Sequence, residues 1–91
     1  MYQGRHCVYS DYQLLVKISK DFLLVINRDN FDLKEVENHL HTFSDFDYEI
    51  TFKIRMHLEK ISTDRSGVIS KITNLLDELK NNVLVDIREH N

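Results

Sequence analysis

The stretch Phe46-Asp47-Tyr48-Glu49-Ile50-Thr51-Phe52-Lys53-Ile54-Arg55-Met56-His57-Leu58 places an apolar residue at every even position and a polar one at every odd position. Side chains of a β-strand alternate between its two faces, so this pattern predicts a strand with one face on a core and the other in water. At about 3.3 Å per residue such a strand would reach roughly 43 Å, more than a small domain is wide. It must bend, or overhang and pair with a second copy, which sets the expectation of a homodimer.

Upstream, Tyr12, Leu14, Val16 and Ile18 alternate in the same way, followed by Ser19-Lys20-Asp21 and the apolar run Phe22 to Ile26. This predicts a β-hairpin, although its turn lacks an Asn-Gly or Asp-Gly pair. A helix from about Ser10 to Phe22 is the competing reading, because Leu15, Ile18 and Phe22 also share a helical face. The β-branched content favours the strand.

Asp32 followed by Glu35 resembles a capping box, and Leu33, Val36, Leu40 and Phe43 follow helical spacing, with Phe31 and Val36 placed as a hydrophobic staple. A second helix starts in Ser62-Thr63-Asp64-Arg65-Ser66-Gly67 and carries Val68, Ile69, Ile72, Leu75, Leu76 and Leu79. It is expected to stop near Lys80, with Asn81 and Asn82 as its exit and Val83, Val85 and Ile87 as a last strand. The predicted fold is α/β (α+β): order ββαβαβ, a two-layer sandwich with a mixed four-stranded sheet and both helices on one face.

Ninety-one residues, 42% of them hydrophobic and 30% charged, suit one small domain over 1–91, with residues 1–9 read as a frayed end. No Pro/Gly/Ser-rich segment divides the chain. This composition excludes disordered and collagen-like classes. The single cysteine, Cys7, cannot form an internal disulfide, which points to a reducing compartment. The longest apolar run is far shorter than a membrane span, and Met1 to Cys7 carry no signal-peptide hydrophobic region. A cytoplasmic protein without membrane contact is expected. The absence of Ala, Pro and Trp beside abundant Ile, Leu, Asn, Asp and Lys suggests an AT-rich coding sequence, as in phages, mobile elements and low-GC bacteria.

Chemistry-bearing constellations are sparse. His39 and His41 stand two apart on a helix and diverge by about 200°, so they make poor joint metal ligands. His57 and Glu59 with Glu49 or Asp47 could reach a cation only by converging, and their bland reading is a solvated charged face. Cys7 beside His6 lacks the third group of a nucleophilic site. There is no phosphate-binding glycine motif and no zinc-ligand spacing, so no enzyme, metal or cofactor is expected. The net charge of −3 and the mixed charges of the long strand offer no basic stripe, and Tyr48 and Phe52 fall on its core face. Nucleic-acid binding therefore ranks third.

Asp64-Arg65-Ser66-Gly67-Val68-Ile69, then Ile72, Leu75 and Leu76, then Asn82-Val83-Leu84-Val85 carry a partial resemblance, over residues 50–87, to the first βαβ of an ACT domain. That family has Asp-Arg-Pro-Gly and two aliphatics at its strand-to-helix junction, where it binds amino acids against a paired subunit. Ser66 stands here in place of the proline. The resemblance implies a ligand loop at Asp64, Ser66, Gly67 and Val68 in an amino-acid-binding regulatory domain, and backbone N–H groups at a helix start suit a carboxylate. This is the second functional reading. The leading one is a non-enzymatic protein-binding module that masks or regulates another protein, as small inhibitors, antitoxins and immunity proteins do. Its expected contact surface is the solvent face of the long strand, Thr51, Lys53, Arg55 and His57.

Overall fold

A computed structural model of the chain describes residues 7–89 and contains four helices. They are α1 (Tyr9–Ile26), α2 (Leu33–Phe46), α3 (Tyr48–Leu58) and α4 (Arg65–Glu89). Among the described residues there is no strand, so the predicted ββαβαβ sandwich and its four-stranded sheet are not formed. Packing runs from α1 to α2, α2 to α3, α3 to α4, and from α4 back to α1. Each helix thus lies against its neighbours in sequence, and the first and last close the ring.

The apolar spacing of each helix explains which face turns inward. On α1, Leu15, Ser19, Phe22 and Ile26 form the buried row, spaced four, three and four residues apart. The competing helical reading of this segment is the one realised, and it extends over both halves of the expected hairpin. Asp11 supports its first turn by accepting the Val8 N–H at 2.8 Å. Val8 has no oxygen to return the bond, so only half of a capping box is made.

Helix α2 begins as expected, with the Asp32 carboxylate accepting the Lys34 N–H at 2.9 Å. It buries Val36, Leu40, Phe43 and Phe46. Asp47 alone separates it from α3. Its extended backbone ends one helix, while its carboxylate accepts the Ile50 N–H at 3.1 Å and starts the next. Phe22 meets Phe43 edge to face with ring centroids 5.3 Å apart, joining α1 to α2 at the centre of the core.

The alternating stretch is mostly helix α3, and its arithmetic accounts for the correction. A row of every second residue contains a row of every fourth, and residues four apart on a helix drift by only about 40°. Ile50 and Ile54 are buried and Leu58 is half-buried, whereas Tyr48, Phe52 and Met56 point outward. Three of the seven residues of the predicted core face therefore meet solvent.

Helix α4 continues through Asn81 and Asn82 to Glu89, where an exit and a last strand were expected. No described residue other than glycine has a positive φ, so neither asparagine takes the left-handed turn. Val83 and Ile87 extend the buried row of Val68, Ile72, Leu76 and Leu79 at helical spacing, and Val85 is exposed. Twenty-five residues make a rod of about 37 Å, most of the molecule's 43 Å long axis.

Of the end expected to fray, residues 1–6 lie outside the described residues. Cys7 is buried at 1% exposure, and its backbone N–H donates to Asp86 of α4 at 3.0 Å.

Candidate functional site: the outer face of helix α3

The expected ligand loop sits where α4 begins. Asp64 accepts the Gly67 N–H at 3.2 Å, so its carboxylate occupies the position an incoming anion would need. A Cβ placed on Gly67 would overlap that carboxylate. Ser66 is exposed, and Val68 belongs to the core. The four residues are neighbours in space, but they build a capped helix start. The flanking segments 48–58 and 65–89 are helical, so the βαβ frame that the resemblance implies is not present around them.

The expected partner surface is dispersed. Positions two apart on a helix diverge by about 200°, which sends Thr51 and Arg55 to one side of α3 and Lys53 and His57 to another. Thr51 is buried at 2% exposure, and its hydroxyl donates to the Asp47 carbonyl at 2.8 Å. Lys53 lies 3.9 Å from Glu49 one turn earlier. Arg55 turns toward α2 and donates to both carboxylate oxygens of Glu37, at 2.9 and 2.8 Å. His57 is half-buried. No common basic patch results.

What α3 presents instead is the set of residues assigned above to the core. Tyr48, Phe52 and Met56, at 74%, 51% and 52% exposure, stand four residues apart in one row. They span two helical turns, about 12 Å along the axis. By helical angle, Glu49 and Lys53 flank the row on one side and Arg55 on the other. The signal was present in the sequence: splitting the even positions into two interleaved rows of four-residue spacing separates Ile50, Ile54 and Leu58 from Tyr48, Phe52 and Met56.

Large apolar side chains are exposed elsewhere, including Leu14, Leu24, Leu33 and Val85, but they do not repeat along one helix face. A shallow apolar hollow lies beside the α2–α3 contact, lined by Phe31, Leu33, Val36, Leu40 and Leu58 with Glu37 and Arg55 on its rim. Among the described residues, no three His, Cys, Asp or Glu side chains are grouped to hold a metal. His39 faces the Glu35 carbonyl and the ring of Phe22, whereas His41 is exposed. Among the described residues, no helix is long and apolar enough to cross a membrane.

Tyr48 and Phe52 are available for stacking, contrary to the sheet-based expectation. Glu49 stands beside them, however, and Glu37 neutralises Arg55 at the same face, so the phosphate-tracking groove that accompanies base stacking is missing from this surface. No family model, curated protein or solved structure matches the chain.

Proposed function

We propose that this chain is a non-enzymatic protein-interaction module that docks through the outer face of α3 and acts by masking or regulating what it binds. The observation that carries this reading is the row Tyr48, Phe52 and Met56, three large apolar side chains held in water by a helix whose opposite face is anchored in the core. Exposed apolar side chains scattered singly are ordinary, whereas a contiguous row rimmed by charge is the usual form of a docking surface. Aromatic residues are also those from which interfaces draw most of their binding energy. The anchoring of Ile50 and Ile54 fixes the row in place before any partner arrives, which lowers the ordering cost of binding.

Capture from the source cell with wild-type chain and with Phe52→Asp tests the reading. A stoichiometric protein retained by the wild type and lost from an equally stable Phe52→Asp variant is the expected result. Identical captured sets would remove α3 from the function.

A further inference from the structure

We infer that the occupant of the α3 face, in the free protein, is a second copy of the chain, paired antiparallel about Phe52. The inference rests on the reading of this face as a docking surface and adds the identity of what covers it.

Charge order along the helix selects the orientation. Beside the row, the first half of α3 carries Glu49 and the second half opens with Lys53, whereas Arg55 already has its charge met by Glu37 of α2 and Asp47 caps the helix. A two-fold axis through Phe52 reverses one copy against the other, so the acidic half of each lies along the basic half of its mate. Phe52 then meets its own counterpart, and Tyr48 meets the partner's Met56, a favourable thioether–aromatic contact. On one flank Glu49 comes against the partner's Lys53. On the other, Tyr48 comes beside the partner's Arg55, where a guanidinium can lie on the ring. Reversal also opposes the two helix dipoles favourably. Parallel pairing would send Glu49 and Lys53 of the two copies to opposite flanks, where neither meets its opposite charge across the pair, and would align the two dipoles, so it is disfavoured.

Size sets the strength. Helix α3 has 11 residues, about 16 Å, and three large apolar side chains on its outer face. That is less than the roughly 800 Å² per partner of a standard stable interface. The pair is therefore a reversible, concentration-dependent dimer, which a heterologous partner can displace by competing for the same row.

Sedimentation equilibrium from low micromolar to millimolar protein, with thermal unfolding as a control, tests this. The wild-type mass should rise with concentration from 10.9 kDa toward twice that value. Phe52→Asp should stay monomeric and fold normally. Glu49→Lys and Lys53→Glu should each weaken association by about three- to tenfold, because each reversal counts twice in a symmetric pair. The double variant Glu49→Lys with Lys53→Glu should recover wild-type association, since both cross-dimer pairs are then restored with exchanged signs.

A wild type that remains monomeric throughout overturns the self-pairing. If Phe52→Asp then still loses a captured protein, the face belongs to that foreign partner. Single reversals without effect, or a double variant no better than its parents, overturn the antiparallel geometry. Unfolding of Phe52→Asp would mean that the row belongs to the core, and the docking reading itself would fall.

Discussion

The guanidinium of Arg65, the first residue of α4, donates to the carbonyl oxygen of Ile26, the last residue of α1, at 3.1 Å, and the same nitrogen reaches the Arg28 carbonyl at 2.8 Å. Carbonyls at a helix C-terminus have no partner within their own helix and carry the negative end of its dipole. A cation from another helix satisfies both needs. Arg65 thereby ties the end of the first helix to the beginning of the last, across a sequence separation of 39 residues.

Replacing Arg65 with Met should keep much of the stem packing and lose the bonds. A destabilisation of about 1–2 kcal/mol is expected, within the usual value of hydrogen bonds to a charged group, reduced here by partial solvent exposure. Urea unfolding reads it directly. Arg65→Lys should recover only part, since the shorter side chain must place its ammonium where the Arg65 terminal nitrogen now meets both carbonyls. An unchanged midpoint for Arg65→Met would deny the tie any role in stability.

Ile54 and Phe52 separate helix from strand by experiment. A strand with its even face buried would make both substitutions to Ala severe. In the helix, Ile54→Ala should cost about 2–5 kcal/mol through the cavity it leaves, and Phe52→Ala, measured at low micromolar protein, less than about 1 kcal/mol. Comparable losses at the two positions would restore the strand.

What the sequence disclosed depended on how many periods each segment satisfied at once. Helix α2 was legible because Asp32 supplies a cap and Val36, Leu40 and Phe43 fit only a helical period. Much of α4 was legible for the same reason. Its last turns were not, because Val83, Val85 and Ile87 fit a strand as well as a helix. In α3 the alternating apolar residues hide a four-residue row; in α1 the alternation of Tyr12, Leu14, Val16 and Ile18 drew attention from the buried row that starts at Leu15, and β-branched side chains tilted the choice there toward strand. Packing overrode that local preference, as it does when a helical face completes a core. Two warnings lay in the sequence: a strand too long for its domain, and a hairpin with no turn residues. The candidate site shared the fate of its helix. With the phase reversed, Tyr48, Phe52 and Met56 were assigned inward and Thr51 outward.

Ser19 lies on the buried row of α1 at 2% exposure, and its hydroxyl has no hydrogen-bond partner. Removing an unsatisfied buried hydroxyl while keeping the small volume should help. Ser19→Ala is expected to stabilise the fold by about 1 kcal/mol, aided by the better helix propensity of Ala. A lower urea midpoint would show that the hydroxyl is bonded in solution.

Gly67 and Asp64 should behave as a coupled pair. Within a helix Gly→Ala gains roughly 1 kcal/mol, but here the added Cβ must displace the Asp64 cap, a loss of similar size. Gly67→Ala alone should thus be nearly neutral. In an Asp64→Ala background the same change should stabilise by about 1 kcal/mol. Equal effects in both backgrounds would uncouple the pair.

Cys7, enclosed at the start of α1 with its backbone held by Asp86, gives the molecule a built-in clock for one motion. A thiol reagent reaches this sulfur only when the first turn lifts away from the last turns of α4, so the labelling rate measures that opening against global unfolding. Labelling much faster than global unfolding allows would identify this seam as the place where the ring of helices first parts.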